Sequence, residues 1–278
     1  MAEGGRLYIC ATPIGNLGDV SDRLREVLQA ADVVYAEDTR RTATLLRHVG
    51  ASPSVRSLFV GNEKSRTADL VASLDQGLMV AMVTDAGMPT VSDPGSDVVR
   101  LARQAGHLVT VVPGPSAVVA AVALAGFGGD RFVFEGFLPR KGKARSERLR
   151  RIASEDRPVV LFVSPHRFLG DLQSIAASTR PEREIVITRE MTKLHEEVWS
   201  GSVGQAIEEW SDRDVKGELT VVIAPGYQEV PSLESALSDA RDLIEGGASP
   251  SEAARQVATA TGVSRREIYQ VLIGDQRS

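Results

Sequence analysis

Short apolar runs without a charged residue alternate with amphipathic patterns along most of this 278-residue chain. Such runs are typical of strands that are buried on both faces, and they favour a largely parallel sheet covered by helices. In the first half, the predicted strands are residues 7–11, 33–36, 78–84 and 108–112, and the predicted helices are residues 22–31, 41–49, 96–105 and 116–125. We therefore expect an α/β protein.

A second series of apolar runs begins after Gly129. The predicted strands of this series are residues 131–137, 159–163, 184–188, 196–201 and 218–224. Fewer long helical patterns separate them, so this half is expected to form a mixed sheet. The length of the chain allows two domains of ordinary size. The predicted domains are residues 1–115 and 116–230, followed by a helical tail over residues 231–278.

The tail has the pattern of three short helices. The first covers residues 233–244, and the second begins at a capping box formed by residues 249–252, with proline in the first helical position. A second box, residues 264–267, opens the last helix, and the spacing resembles a helix-turn-helix. Arg265 and Arg266 at that helix start are candidate RNA contacts. A docking or dimer-packing role for the tail is equally open.

Residue counts exclude several other classes of protein. Cys10 is the single cysteine, so an internal disulfide or a CxxC zinc site is excluded, as is usual for proteins of a reducing cytoplasm. The four histidines form no HxxxH pair, and we expect no metal. The start of the chain lacks a signal pattern. Pro113 and Pro115 break the uncharged stretch between His107 and Asp130, so we expect a cytoplasmic protein without a membrane span.

The turns that follow the predicted strands of the first half are rich in glycine, proline and acidic residues. They are residues 11–19 (ATPIGNLGD), 36–42 (AEDTRRT), 84–95 (TDAGMPTVSDPG) and 113–117 (PGPSA). Ligands of open α/β sheets bind at the carboxyl ends of the strands. Glycine lets the backbone approach a ligand closely and proline stiffens the loop. None of these turns is a GxGxxG or P-loop motif, so they predict a site of backbone groups for an uncharged or zwitterionic ligand.

Eight segments together resemble the tetrapyrrole methylase superfamily. They are TPIGNLGD, AEDTRRT, TDAGMPTVSDPG, VPGPSA, GFLPRKGK, FVSPHR, TREMTKLHEE and KGE. The resemblance runs from about Leu7 to Gly226, and the DAGMP and SDPG elements are typical of the branch that methylates the 2′-oxygen of a cytidine in 16S ribosomal RNA. It implies two α/β domains, S-adenosylmethionine (SAM) in the cleft between them, and a homodimer acting on 16S rRNA of the small ribosomal subunit.

The resemblance also implies a set of cofactor-binding residues. Pro13 lies in the first loop, and the segment that contains Asp85 replaces the GGDP-type loop of other members. Met191 matches a contact that is often glycine in relatives. The full set is Pro13, Asp85, Ala86, Gly87, Met88, Val91, Ser116, Ala117, Val163, Ser164 and Met191.

Transfer of a methyl group to a ribose hydroxyl requires that the hydroxyl proton leaves, so a base or an anion-stabilising group is expected. Asp38 or Glu190 could accept the proton, and Arg40 or Lys193 could hold a phosphate or stabilise the oxyanion. Structural ion pairs or helix caps are an equal alternative for each of them. Glu37, His195 and Glu196 are further candidates. We hypothesise that Asp38→Ala lowers turnover far more than SAM affinity.

A basic segment stands out in a chain whose formal net charge is −5. It contains Arg140, Lys141, Lys143, Arg145, Arg148, Arg150 and Arg151. Glu147 alone opposes these charges, which favours contact with RNA phosphates, although charge runs are often just solvated faces. Two other functions stay open: methylation of a small tetrapyrrole precursor, and a non-catalytic RNA-binding role in ribosome assembly.

Overall fold

The computed structural model describes residues 5–226 and 232–275. The chain divides into two compact units, which run from Met1 to Gly226 and from Tyr227 to Ser278. The predicted boundary at residues 230 and 231 lies outside the described residues. The predicted boundary at residues 115 and 116 falls between a strand and a helix of the first unit, and it stays a prediction.

The first sheet of the larger unit is parallel throughout, as predicted. Its strands are β1 (Arg6–Cys10), β2 (Val33–Ala36), β3 (Ser54–Ser57), β4 (Met79–Val83) and β5 (Leu108–Val112), in the order β3-β2-β4-β1-β5. The helices between these strands are α1 (Asp22–Ala30), α2 (Thr39–Val49), α3 (Glu63–Asp75) and α4 (Ser96–Gln104). Two apolar clusters cover the two faces of the sheet, which explains the uncharged strands.

The second sheet is mixed, also as predicted. Its strands are β6 (Val133–Phe137), β7 (Val159–Val163), β8 (Glu184–Arg189), β9 (Glu197–Ser202) and β10 (Leu219–Ile223), in the order β6-β7-β10-β8-β9. Only β6 and β7 pair in parallel within this sheet. The helices that follow in this half are α5 (Ala117–Ala125), α6 (Lys143–Ser154), α7 (Phe168–Ser178) and α8 (Val203–Trp210).

Helix α5 joins the two sheets into one body. It is capped by the Ser116 hydroxyl, and it buries Val118 and Val122 against Val160 and Val222 of the second sheet. Ile14, from the loop after β1, packs into the same cluster. The carboxyl ends of the first sheet are thereby held against the second sheet, which is the arrangement that a site between the two requires.

The C-terminal unit contains the three helices that the sequence predicts: α9 (Leu233–Glu245), α10 (Pro250–Thr261) and α11 (Arg265–Asp275). The Ser249 hydroxyl caps α10, and Gly262 ends it with a φ of 74°. Small residues such as Ala253 and Ala254 pack around Ile268 to form a core of its own. No helix in the described ranges combines the length and the apolarity that crossing a membrane requires.

Candidate active site

A cavity of about 360 Å³ lies at the carboxyl ends of the first sheet and opens against the second sheet. Both sheets contribute to its wall, mostly with small or apolar residues. The lining residues are Ile14, Ala86, Gly87, Met88, Val91, Ser92, Asp93, Ser116, Ala117, Val118, Phe137, Phe162, Val163, Ser164, Pro165, Gly217, Glu218, Leu219 and Thr220.

The 84–95 loop supplies one side of this wall and is fixed at both ends. Near its start, Gly87 (φ 79°) exchanges two backbone hydrogen bonds with Thr12, in which the N–H groups lie 2.8 and 3.1 Å from the carbonyl oxygens. Near its end, the Gly95 N–H donates to Glu63 Oε1 at 2.8 Å. Between these points, Thr90 and Ser92 have φ angles of 74° and 68°. Such left-handed non-glycine residues cost free energy and concentrate at functional sites.

Eight of the eleven expected cofactor residues line the cavity: Ala86, Gly87, Met88, Val91, Ser116, Ala117, Val163 and Ser164. Pro13 and Asp85 instead line a separate recess of about 130 Å³ beside Arg41. Met191 is buried in the apolar cluster that contains the cavity residues Ile14 and Val118, so it supports the wall from behind.

Three carboxylates form an acidic cluster (Glu37, Asp85 and Asp93) on the first-sheet side. The Asp85 N–H donates to Glu37 Oε2 at 3.4 Å, and Asp85 Oδ1 accepts from the Asp38 N–H at 3.0 Å. Asp93 lines the cavity, and burial together with the negative charge of Glu37 raises its pKa to about 6. Burial also raises the pKa of Glu37. Arg41 offsets part of this charge through Asp85, at 3.5 Å.

Asp38 and Arg40 lie at the start of α2, directly after β2. Asp38 is the N-cap: its Oδ1 accepts from the Arg40 N–H at 2.8 Å. The Arg40 guanidinium also pairs with Asp38 Oδ2 at 2.8 Å, and these hydrogen bonds lower the pKa of Asp38 to about 2. The geometry is that of a capped helix start with a surface ion pair.

On the second-sheet side, a lysine cluster (Glu190, Lys193 and Glu218) occupies the loop after β8 and the residue directly before β10. Lys193 Nζ lies 2.8 Å from Glu190 Oε1 and 3.1 Å from Glu218 Oε2. Glu190 Oε1 also accepts from the Glu218 N–H at 2.9 Å. Burial works to raise the pKa of Glu190, but the hydrogen bonds from Lys193 and from the Glu218 N–H outweigh it, so this pKa lies below its ordinary value.

The backbone of the loop in the lysine cluster is strained as well. Glu190 and Thr192 have φ angles of 51° and 66°. In the same loop, Glu196 Oε2 accepts a hydrogen bond from the Thr192 N–H at 3.1 Å. The His195 side chain is exposed. A Cβ on Gly15 would clash with Lys193 Cγ, so the first loop packs directly on this cluster.

Helix α6 divides the basic segment into two groups. Arg145 pairs with buried Asp171 at 2.8 Å, and Arg148 pairs with Glu135, so both charges are used within the fold. The exposed members are Arg140, Lys141, Lys143, Arg150 and Arg151. In the C-terminal unit, Arg265 and Arg266 are exposed at the start of α11, and Arg265 Nη2 donates to Ser251 Oγ at 3.2 Å.

Several wall residues were not among the sequence candidates. Asp93 lies in the 84–95 turn, and Gly217 and Glu218 lie in the KGE segment. Their position in these motifs is the one feature of the sequence that could have indicated a place in the cavity wall. Phe137 and Phe162 form a tilted ring pair with 5.6 Å between centroids at the cavity wall. Within the described residues, no group of three or more His, Cys, Asp or Glu side chains could hold a metal ion.

Comparison with known proteins gives one family-model match, to Tetrapyrrole (Corrin/Porphyrin) Methylases over residues 6–207. A curated relative, the ribosomal RNA small subunit methyltransferase I of Synechocystis, is 40% identical over 270 residues, which are 96% of this chain and 97% of the relative. The protein of the same name from Thermotoga maritima is 44% identical over 220 residues, which are 79% of this chain and 98% of the relative.

Among solved structures, the uroporphyrin-III-C-methyltransferase from Thermus thermophilus superposes with a TM-score of 0.56 at 22% identity. The superposition covers 78% of this chain and 94% of that structure. At this level of identity the likeness concerns the fold, and it agrees with the two sheets described above.

Proposed function

Because the chain belongs to the tetrapyrrole methylase family, whose members are SAM-dependent methyltransferases, we propose that it methylates the ribose 2′-oxygen of a cytidine in 16S rRNA of the small ribosomal subunit. The observation that carries this proposal is the match, over nearly the whole chain, to relatives named ribosomal RNA small subunit methyltransferase I. We further propose that it acts in the cytoplasm and as a homodimer.

The cavity suits SAM in size and chemistry. Its volume lies within the range of about 300–1,000 Å³ that is usual for small-molecule sites. Gly87 and Gly217, both with positive φ, keep two stretches of the wall free of side chains, and Ser116 and Ala117 keep a third one small. The wall residues Ala86, Met88, Val91, Val163 and Ser164 would hold the cofactor, with Met191 behind them. Bound there, SAM supplies a methyl group activated by a positively charged sulfur.

What the chain's own residues contribute is alignment and exclusion of water. An in-line methyl transfer gains most of its rate from holding the attacking oxygen opposite the leaving group. The fixed ends of the 84–95 loop and the packing of Gly15 on the lysine cluster provide such rigidity. Lys193 and Arg40 are the proposed cations for an RNA phosphate or for the developing negative charge on oxygen.

The exposed basic face of α6 supports an RNA substrate. At 100° per residue, Lys143, Arg150 and Arg151 lie within an arc of about 100° on the solvent side. Arg140 and Lys141 precede the helix and follow the cavity residue Phe137 by only a few positions. Arg265 and Arg266 are proposed as additional RNA contacts of the C-terminal unit. These positive charges would bind phosphates and lend the affinity a dependence on salt.

The homodimer is supported by apolar surface on α5 and β5. Val119 and Leu124 lie on the side of α5 that faces away from the second sheet and are 60% and 47% exposed. Leu108 and Val111 are exposed on β5, the last strand of the first sheet. Exposed apolar surface of this kind is typical of protein interfaces. Leu124→Glu should shift the sedimentation of the protein from dimer to monomer, and a wild-type monomer would contradict this part of the proposal.

The substrate is tested by incubating the protein with methyl-labelled SAM and small ribosomal subunits from a strain that lacks this activity. The expected result is one labelled cytidine whose ribose resists alkaline cleavage on its 3′ side. Label in a tetrapyrrole precursor and none in RNA would favour the small-molecule alternative. A chain that binds RNA but neither binds SAM nor transfers label would favour the assembly role.

The RNA-binding face is tested by replacing Lys143, Arg150 and Arg151 together with alanine. RNA affinity should fall, and the slope of its logarithm against log salt should flatten by about one unit for each phosphate that the variant no longer binds. A matched control replaces three exposed arginines on helices of the first sheet, Arg23, Arg47 and Arg103. Equal slopes for both triple variants would exclude α6 as the contact surface.

A further inference from the structure

The methyl transfer needs a proton acceptor, and the structure distinguishes the available carboxylates by what already binds them. Asp38 accepts hydrogen bonds from the backbone and side chain of Arg40, and its pKa is about 2. Glu190 accepts from Lys193 and from the Glu218 N–H. A carboxylate that is held by cations and N–H groups is a weak base, because each of these contacts stabilises the charged form.

Asp93 differs from both in position and in partners. It lines the cavity itself, whereas neither Asp38 nor Glu190 does. In the described part of the chain, no Lys, Arg or His forms an ion pair with it. The charges that act on it are carboxylates, Glu37 directly after β2 and Asp85 in its own loop, while Arg41 pairs with Asp85. A hydrogen bond with the Thr84 side chain lowers the pKa of Asp93, but burial and the two carboxylates outweigh it. Across the cavity, Glu218 is paired with Lys193.

The backbone fixes Asp93 at this place. Ser92, with a φ of 68°, precedes it and Pro94 follows it, and Gly95 is anchored to Glu63. A Cβ on Gly136 of β6 would lie 3.3 Å from Ser92 Oγ, so the loop also packs closely on the second sheet. A side chain held in this manner can stand at a constant position relative to a bound substrate, as a general base must.

We propose that Asp93 is the general base of the reaction and accepts the proton of the 2′-hydroxyl. This assignment rests on the proposed function. As the bond from the ribose oxygen to the methyl carbon forms, the bond from that carbon to sulfur breaks and its electron pair stays on sulfur. The hydroxyl proton passes to a carboxylate oxygen of Asp93, which returns it to water after the product leaves. The RNA gains one methyl group, and no oxidant or reductant is needed.

The decisive variant is Asp93→Asn, which keeps the shape and removes the basic oxygen. Single-turnover methylation of the small subunit should fall about 100-fold or more, the usual range for losing a general base. The wild-type rate should rise with pH through about 6 and then level off, because the carboxylate must be ionised, whereas the residual rate of the variant should lack this step. Asp97→Asn is the matched control, since Asp97 is exposed at the start of α4 and pairs with Arg100.

Two measurements do not depend on turnover. Calorimetry should give the same SAM affinity for Asp93→Asn and wild type, whereas an equal loss of affinity and rate would make Asp93 a cofactor contact and overturn the assignment. Carbon NMR of labelled aspartate should show a carboxyl group that titrates near pH 6 and is absent from the variant. A carboxyl group that titrates near pH 4 would also overturn the assignment.

If the wild type labels no RNA, the proposed function fails. If wild type and Asp93→Asn label RNA equally, only the assignment of Asp93 fails.

Discussion

The acidic cluster and the lysine cluster face each other across the cavity, and they differ in how their charge is balanced. Each includes residues of a loop with two left-handed non-glycine residues, and each supplies one carboxylate to the wall, Asp93 or Glu218. Lys193 forms ion pairs with both carboxylates of the lysine cluster, whereas Arg41 pairs with Asp85 alone and only partly offsets the charge of Glu37 in the acidic cluster. From this difference we infer that the lysine cluster stabilises the site, whereas the acidic cluster retains a reactive carboxylate that lowers the stability of the fold.

The largest effect is expected on the side that holds the site together, from Gly217→Ala. Gly217 has a φ of 89°, and a Cβ there would lie 2.5 Å from the Glu190 carboxyl group. The strained φ and the displaced Glu190 together should lower the free energy of unfolding by about 3 kcal/mol. Urea denaturation measures this loss.

The control for that variant is Gly126→Ala. Gly126 ends α5 in the left-handed region, with a φ of 68° and a ψ of 14°, but a Cβ there meets no atom within 4 Å. The substitution should therefore lower the free energy of unfolding only through its strained backbone, by about 1–2 kcal/mol. Equal losses for the two variants would mean that Glu190 moves without penalty and that the lysine cluster contributes little to the fold.

The next effect is expected from Glu190→Ala, which removes the acceptor of Lys193 Nζ and of the Glu218 N–H. Loss of both bonds should lower the free energy of unfolding by about 1–3 kcal/mol at pH 7. Because the folded-state pKa of Glu190 lies below its ordinary value of 4.5, this contribution is present above pH 4.5 and is lost as the pH falls through the folded-state pKa. A double-mutant cycle with Lys193→Met isolates the pair, and a coupling energy of zero would contradict the comparison.

On the acidic side, Asp93→Asn should stabilise the protein rather than weaken it. The pKa of Asp93 is raised from 3.8 to about 6, so its ionisation in the folded state is unfavourable. Relative to wild type, the variant should gain nothing below pH 4, gain progressively between pH 4 and 6, and reach a plateau of up to about 3 kcal/mol above pH 6. Urea denaturation at pH 4, 6 and 8 measures the gain. A variant that is less stable than wild type at pH 8 would mean that Asp93 has a stabilising partner and no role as a strained base.

Much of the fold was predictable because burial leaves a clear pattern in the sequence. The uncharged strands β1, β2, β4 and β5 were identified from apolar runs, and so was the mixed character of the second sheet. The polar strand β3 (Ser54–Ser57) was missed, because an edge strand that is only partly buried needs no apolar run. The helices α3, α6, α7 and α8 were missed with it. Helix α2 begins at Thr39, two residues before its predicted start, because Asp38 caps it.

The site was predictable to the extent that chain position determines it. Turns after parallel strands had to meet at one edge of the sheet, and the cavity lies there. Eight of the cofactor residues that the family resemblance implies line this cavity. Electrostatics was the part that the sequence could not provide. The sequence displays Asp38, Asp85 and Asp93 as similar acidic turn residues, and only the fold shows that Arg40 holds the first, Arg41 approaches the second and burial surrounds the third. The same holds for the basic segment, where Arg145 and Arg148 turn inward.

The smallest effect is expected at Asp38, where the cap and the sequence-based catalytic hypothesis make opposite predictions. If Asp38 is a cap, Asp38→Ala lowers the free energy of unfolding slightly, and Asp38→Asn is nearly neutral because asparagine caps a helix equally well. Turnover should then change little in either variant. If Asp38 is the base, both variants lose turnover alike while SAM affinity and the Asn variant's stability are kept. Single-turnover rates of the two variants, read beside Asp93→Asn, decide which carboxylate takes the proton, and a large loss in Asp38→Asn would move that role from the cavity wall to the start of α2.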